Sequence, residues 1–185
     1  MAWIEAPTPK NAKGKIKKVY EKILKERGHV ANIFQAQGLG PDTLEDHVNM
    51  YVHLMIDPGP LSRDEREMIA VVVSAANRCA YGAIHHSEAL AEVAKDPKAL
   101  NKLLTEFVSK KESPREKALL AYAAKLTLDP KDITENDIID LRDAGLSDAE
   151  ICHANLIASY FNFSNRVALG LGVEIEEGAA RTYKY

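Results

Sequence analysis

Apolar side chains recur every three or four residues along most of the chain, which is the period of an amphipathic α-helix. In the first such segment, residues 11–26, Asn11 can cap the start. One face of this segment carries Ile16, Val19, Tyr20, Ile23 and Leu24. No segment shows the sustained apolar–polar alternation that is typical of a β-strand. The pattern therefore predicts an all-α domain.

Several helix starts are marked by capping boxes, in which a serine or threonine stands three residues before an acidic residue. The predicted boxes pair Ser62 with Glu65, Ser113 with Glu116 and Ser147 with Glu150, and Thr134 can cap a short helix. Residues 29–40 are expected to connect two helices through short helical turns. These signals predict about eight helices. Seven of them cover residues 11–26, 41–55, 62–76, 78–94, 114–128, 134–144 and 147–169. The other begins at Asp96 and Pro97, and its apolar stripe consists of Leu100, Leu103, Leu104 and Phe107.

The length and charge of the chain exclude several classes of protein. With 185 residues the chain can bury a sizeable core, and residues 1–185 are expected to form one domain. The formal net charge of -3 gives no basic surface for nucleic acid or an anionic membrane, and no apolar run is long enough to cross a bilayer. Two cysteines make no disulfide framework, and the N-terminus lacks the features of a secretion signal. The expected location is cytoplasmic.

The core motif of the sequence lies at residues 61–94, where two predicted helices meet at Asn77. Asn77 is a favourable N-cap, which would place Cys79 in the first turn of the second helix, where N–H groups and the helix dipole favour a thiolate. Glu67 begins a strongly apolar run, so its pKa is expected to be raised by burial. A carboxylate in that setting can serve in proton transfer.

A family resemblance rests on three of these positions. Glu67, Cys79 twelve residues later and His86 seven further resemble the motif E-x11-C-x-x-C-x-x-x-H of the alkylhydroperoxidase AhpD-like and carboxymuconolactone decarboxylase family. The runs S-A-A-N-R-C-A-Y and Y-F-N-F-S-N-R-V-A, and Trp3 with Ile4, resemble the peroxidase-related branch of that family. The resemblance implies an AhpD-like helical domain with Glu67, Cys79 and His86 as catalytic residues. It also implies that the chain forms a homo-oligomer.

The sequence departs from the motif at its second cysteine, which is replaced by Gly82. A helix rises about 1.5 Å per residue, so Cys79 and His86 would lie roughly two turns apart and could not hydrogen-bond directly. In redox relatives the thiol at this position is the one expected to attack peroxide. Glycine cannot do so, which excludes a dithiol mechanism that uses positions 79 and 82, and it is expected to leave a small polar hole.

Other residues are candidates for the surroundings of the site. Tyr81, His85 and Tyr160 are expected to line a pocket, and Asn165 with Arg166 to form a polar pair near it. Cys152 is expected to be a core cysteine, or a resolving thiol if its helix touches that of Cys79. The chain shows no cofactor motif, and no set of cysteine and histidine has the spacing of a zinc site, so neither a cofactor nor a metal is expected.

Three functions are compatible with these residues. The first is thiol-dependent hydroperoxide reduction, an antioxidant activity in which Cys79 is the remaining redox thiol and an external thiol is the reductant. The second is cofactor-free acid–base chemistry of the carboxymuconolactone decarboxylase type on a small organic acid or lactone, carried by Glu67 and His86. The third is a non-catalytic oligomer of the same fold. The close match around Cys79 favours the first.

Overall fold

In the computed structural model, residues 2–94 and 113–176 are described, with side chains in the first range described to residue 91. Eight α-helices occur in these ranges, and no residue of them is in a β-strand, which confirms the predicted all-α fold. A π-helical turn, Val52–Ile56, extends the third helix. The helices are α1 (Gly14–Arg27), α2 (Asn32–Ala36), α3 (Pro41–Tyr51), α4 (Arg63–Ala76), α5 (Ala80–Ala94), α6 (Pro114–Leu128), α7 (Glu135–Asp143) and α8 (Asp148–Gly170).

Helix α4 lies at the centre of the fold. Every residue from Glu65 to Ser74 is buried, and the helix packs against α5, α6 and α8. A helix that is covered on all sides belongs to the interior of a domain. The chemistry carried by α4 is therefore shielded from water unless a cavity reaches it.

The three serine capping boxes form as predicted. In each box the serine hydroxyl oxygen accepts a hydrogen bond from the backbone N–H group of the glutamate three residues later. The side chain of that glutamate in turn accepts a hydrogen bond from the backbone N–H group of the serine, at Ser62, Ser113 and Ser147. A side-chain cap of this kind stabilises a helix by about 1 kcal/mol. The boxes are local patterns, which is why the sequence alone was sufficient to place them.

The start of α1 differs from the prediction. The helix begins at Gly14, and Asn11 instead accepts a hydrogen bond at Oδ1 from the Thr8 N–H group, closing a turn before the helix. The other end is as expected, with Gly28 in the left-handed conformation at φ 77°. The buried stripe of α1 continues past Ile23 to Arg27, whereas Leu24 is partly exposed.

Two buried clusters form the interior. One packs α3, α4 and the C-terminal helices together, and it includes Tyr51, Tyr160 and Phe161. The other packs α1, α2 and α3 against the start of α5, and it includes Phe34 and Tyr81. The helix predicted after Asp96 lies outside the described residues. None of the helices that the structure describes is long and apolar enough to cross a bilayer.

Candidate active site

A cavity opens where the two buried clusters meet. Its empty volume is about 580 Å³, open solvent at its mouth included. Aromatic side chains from both clusters form much of its lining, together with the backbone at Gly82. Its polar lining includes Arg27, His85, His86, Ser164 and Asn165. The three residues expected to line a pocket, Tyr81, His85 and Tyr160, all face this cavity.

Glu67 and His86 meet at the inner end of this site. Oε2 of Glu67 lies 2.7 Å from Nδ1 of His86, across the α4–α5 contact. The other oxygen, Oε1, accepts a hydrogen bond from Arg63 Nε at 2.8 Å and forms an ion pair with Arg63 Nη2 at 2.6 Å. Arg63 stands one turn before Glu67 on α4, so the helix itself brings these two side chains together. The glutamate is fully buried, whereas His86 reaches the cavity.

The ionisation of Glu67 is opposite to that expected from the sequence. Burial raises the pKa of this carboxyl, but the charge and hydrogen bond of His86, and then those of Arg63, outweigh burial and bring the pKa below its ordinary value. The prediction of a raised pKa was wrong because it considered only the apolar neighbours along α4. Glu67 is therefore a carboxylate at neutral pH and can act as an acceptor for the imidazole N–H group.

The imidazole of His86 is held by aromatic contacts as well as by Glu67. Its ring centroid lies 4.5 Å from that of Phe161 at an interplanar angle of 75°, and 6.4 Å from that of Tyr51. Because the ionised Glu67 only accepts, Nδ1 of His86 carries a proton in this contact. In the neutral ring, Nε2 then has the free lone pair, and it is the nitrogen left for a reactant.

The junction between α4 and α5 differs from the predicted one. Asn77 ends α4, and its side-chain amide donates to the Val73 and Asn162 oxygens, so it does not cap α5. Arg78 adopts the left-handed conformation at φ 54°, and Cys79 immediately precedes the first residue of α5. The Cys79 carbonyl accepts the hydrogen bond of the Ala83 N–H group. Cys79 therefore takes the capping position that the sequence assigned to Asn77.

Cys79 is buried beside the cavity but does not line it. Burial raises the pKa of the thiol, and this effect exceeds the lowering by the Gly82 and Tyr81 N–H groups that donate to the sulfur. The expected tendency toward a thiolate is thus contradicted, because the helix start that favours the anion is itself enclosed in the second buried cluster. The other cysteine, Cys152, is exposed on α8 and is not the core cysteine that was expected.

Gly82 does not leave the hole that was expected. A Cβ atom at this position would lie 2.5 Å from Oδ1 of Asn165 and 2.5 Å from Oγ of Ser74. These two side chains are buried, and the Ser74 hydroxyl donates to Asn165 Oδ1 at 3.3 Å. The volume beside Gly82 is therefore already filled by polar side chains from α4 and α8.

His85 lies on a different side of α5 from His86 and meets the segment after α8. Its Nε2 lies 2.9 Å from Oε2 of Glu176, and burial lowers the pKa of His85 to about 4. The Tyr81 hydroxyl donates to Oε1 of the same glutamate at 2.9 Å, and the Asn32 N–H group donates to that oxygen as well. Glu176 thus joins α2, α5 and the segment after α8 at one edge of the cavity.

Tyr160 is fixed in the cavity wall by a polar chain. Its hydroxyl lies 2.8 Å from Nε2 of His47, whose Nδ1 lies 2.9 Å from the Gln37 side-chain oxygen. Burial raises the pKa of Tyr160 well above its ordinary value, so the phenol is neutral. This chain accounts for a histidine, His47, that sequence analysis left without a role.

Three polar residues of the site were missed from the sequence. Arg63 could have been recognised from its position four residues before Glu67, and Arg27 from its place on the α1 stripe, four residues after Ile23. Ser74 gave no signal, because only the tertiary contact with Gly82 makes it important. No group of three or more His, Cys, Asp or Glu side chains within residues 2–94 and 113–176 could hold a metal ion.

Comparison with known proteins supports the family resemblance. Residues 41–125 match the model of the carboxymuconolactone decarboxylase family. The chain is similar to the AhpD-like peroxidase-related protein of Ralstonia eutropha JMP134, with 26% identity, a TM-score of 0.87 and 99% and 98% of the two chains covered. It is also similar to the peroxidase-related protein of Silicibacter sp. TM1040, with 29% identity, a TM-score of 0.87 and 99% and 96% covered.

A more distant likeness extends to a debrominase in complex with 2,3,4-tribromopyrrole, with 18% identity, a TM-score of 0.75 and 90% and 88% of the two chains covered. At this identity the likeness concerns the fold alone. No curated protein sequence matches the chain. Residues 41–125 therefore resemble the carboxymuconolactone decarboxylase family, and the chain has the fold of the AhpD-like, peroxidase-related proteins.

Proposed function

We propose that the cavity performs cofactor-independent acid–base chemistry on a small organic molecule, with His86 as the catalytic base and acid. The single observation that supports this most strongly is the 2.7 Å contact between Glu67 Oε2 and His86 Nδ1 beside an open cavity. A buried carboxylate that fixes an imidazole in one tautomer is the arrangement that makes a histidine an oriented proton carrier. Cys79 and Gly82 have no part in this reaction.

The proton transfer proceeds in two balanced steps. In its neutral form, His86 takes a proton at Nε2 from a C–H or O–H group of the bound molecule, and the electron pair of that bond stays on the molecule. The imidazolium formed is stabilised by the Glu67 carboxylate at Nδ1, which Arg63 keeps ionised. Return of the proton to another atom of the molecule completes an isomerisation. Where the proton came from a carboxyl O–H group, carbon dioxide leaves between the steps, and the proton returns to the carbon atom that carried the carboxyl group.

The experiment is proton exchange in D₂O followed by ¹H NMR for a panel of small lactones, keto acids and unsaturated acids. We expect the unmodified chain to exchange a carbon-bound proton of at least one compound, and the variant His86→Ala to lose this activity. Glu67→Gln should keep the cavity but lower the rate by about 10²–10⁴-fold, the usual range for a lost acid–base contribution. Failure of the whole panel, or full activity in His86→Ala, would contradict the proposal.

A matched control is available in His53. This histidine is paired with Asp57 on the exposed side of the turn after α3, away from the cavity lining. His53→Ala removes an imidazole without touching the site, so its exchange rate should equal that of the unmodified chain. A loss of rate in both histidine variants would indicate general damage rather than loss of the base.

A second candidate function, thiol-dependent hydroperoxide reduction, is supported by two observations. Two backbone N–H groups donate to the Cys79 sulfur, and two similar solved structures, at 26% and 29% identity, are named peroxidase-related. In this reaction the thiolate attacks the hydroperoxide, the O–O bond breaks, an alcohol leaves and a sulfenic acid forms. Two equivalents of an external thiol then return the cysteine and give a disulfide and water.

The test of the second candidate is consumption of tert-butyl hydroperoxide with dithiothreitol as reductant. Turnover that disappears in Cys79→Ser and survives in Cys152→Ser would support it. Turnover no faster than that of dithiothreitol alone would remove it, and the acid–base proposal would stand by itself.

A further inference from the structure

Arg27 is a buried cation that has no acidic partner in the described part of the chain. The residue is only 7% exposed, and its Nε atom is buried without a hydrogen-bond partner among residues 2–94 and 113–176. None of the ion pairs formed among residues 2–94 and 113–176 includes it. Its partner within that part of the chain is Tyr51, whose hydroxyl lies 3.4 Å from Nη2 and whose ring centroid lies 4.5 Å from Cζ.

Burying a guanidinium in this way is unfavourable unless an anion completes the site. A charge removed from water loses its hydration, and one phenol does not replace it. The other charged groups near the cavity have partners of their own. Glu67 is occupied by Arg63 and His86, and Glu176 lies against His85 and Tyr81. Within the residues that the structure describes, the Arg27 charge near the cavity is thus left without a counter-charge.

Asn165 provides a second, independent donor. Its side chain is 2% exposed, and its Nδ2 atom is buried without a partner in the described part of the chain. Its Oδ1 atom accepts from the Ser74 hydroxyl, so the amide is already oriented. Asn165 on α8 and Arg27 on α1 line the same cavity, and each has an N–H group without an acceptor among the described residues.

We infer that Arg27 and Asn165 form a binding subsite for the carboxylate of a small organic anion, held in the cavity that His86 also lines. A guanidinium matches a carboxylate with two parallel N–H···O bonds, and an amide N–H group satisfies a remaining lone pair. The aromatic side chains of the cavity wall can pack against the hydrocarbon part of such a ligand. One arginine can neutralise one negative charge. A phosphate would need several donors at a helix start or more than one cation.

This subsite deepens the proposed function, because it makes the proton-transfer substrate a carboxylic acid anion. The Tyr51 ring contacts both Arg27 and the His86 imidazole, so one aromatic side chain separates the anchoring group from the base. Anchoring the carboxylate at Arg27 would present the rest of the molecule to Nε2. The binding of the anion itself requires neither His86 nor any turnover.

The experiment compares benzoate with benzamide, which has nearly the same shape but no charge, by isothermal titration calorimetry. We expect benzoate to bind in the millimolar range or tighter, and roughly ten- to a hundred-fold more tightly than benzamide, as for a hydrogen bond to a charged group. Arg27→Met should abolish this preference, Arg27→Lys should keep part of it, and Asn165→Leu should weaken it. Inorganic phosphate should bind more weakly than benzoate.

Lys25 supplies the matched control. It is exposed and lies on the same helix, so Lys25→Met changes the net charge as Arg27→Met does without altering the cavity. Equal binding of benzoate and benzamide, absence of benzoate binding at millimolar concentration, tighter binding of phosphate, or an undiminished preference in Arg27→Met would each overturn the inference. His86→Ala should retain the preference. Carboxylate binding without any proton exchange would therefore reject the proposed function and leave the subsite standing.

Discussion

The contact around Gly82 gives a sharp prediction about stability. Gly82→Ala places a Cβ atom 2.5 Å from both Asn165 Oδ1 and Ser74 Oγ, and 3.1 Å from Ser74 Cβ. Gly82 is not among the residues with positive φ, so alanine brings no backbone strain. The cost comes from moving two buried side chains that are hydrogen-bonded to each other.

The expected magnitude follows from two opposing effects. Overpacking a close-packed interior costs about 1–3 kcal/mol, whereas replacing glycine by alanine within a helix gains about 1 kcal/mol. Gly82→Ala should therefore lower the free energy of unfolding by up to about 2 kcal/mol. Gly170 is the control, because a Cβ atom there meets nothing within 4 Å, and Gly170→Ala should be neutral or stabilise by up to about 1 kcal/mol.

The assay is equilibrium unfolding in urea, with the midpoint compared at equal slope. Combining Gly82→Ala with Asn165→Ala should cost less than the sum of the two single changes, because the smaller side chain leaves room for the new Cβ atom. If Gly82→Ala stabilises the protein as much as Gly170→Ala does, or if the two changes at 82 and 165 are additive, the packing described here is wrong.

Three further predictions concern charge, thiols and assembly. Burial lowers the pKa of His47 from 6.5 to about 4, so between these values the unfolded chain binds a proton that the native chain does not. Stability should therefore rise with pH from about 4 to 6.5, by about 3 kcal/mol from this group, and the rise in urea midpoint should be smaller in His47→Gln. Iodoacetamide should label the exposed Cys152 before Cys79 in the native protein, which mass spectrometry of each cysteine measures, and faster labelling of Cys79 would contradict its burial. Because Trp3 and Ile4 are exposed apolar side chains, at 80% and 40%, we expect a homo-oligomer by light scattering at micromolar concentration, and a monomer would exclude it.

The fold was predictable wherever the determining interaction is local. The capping boxes at Ser62, Ser113 and Ser147 lie within one helical turn, and each forms as expected. Asn77 shows the limit of such rules. Asparagine is a residue type that favours the N-cap position, but the Asn77 amide instead donates to Asn162 on a distant helix. Cys79 takes the capping position.

The site was predictable in its members but not in their electrostatics. The family resemblance implied that Glu67 and His86 belong to the candidate site, and the structure brings them into contact. The pKa of Glu67 could not be inferred, because its direction depends on partners from two helices as well as on burial. Arg27 was missed since a charged residue at the end of a helix is usually solvated.

The reactivity inferred for Cys79 depended on a helix start that was assumed to face water. Two backbone N–H groups do donate to the sulfur. The second buried cluster, however, encloses the sulfur and shields it from water. The sequence indicates the helix dipole at this thiol but not the loss of hydration on burial. Burial has the larger effect on the pKa of the thiol. Position 82 carries a glycine in place of a second cysteine, and neighbouring side chains pack closely against Gly82. A single sequence does not show this packing.

The central claim is that the chemistry belongs to the Glu67–His86 pair and not to Cys79. The most direct test measures one reaction, proton exchange into a small carboxylic acid in D₂O, for Cys79→Ser and His86→Ala side by side. Serine is a favoured N-cap, so Cys79→Ser should keep the start of α5 while removing the thiol. We expect exchange at close to the unmodified rate in Cys79→Ser and none above the solvent background in His86→Ala. Exchange that is lost in Cys79→Ser and kept in His86→Ala would contradict it.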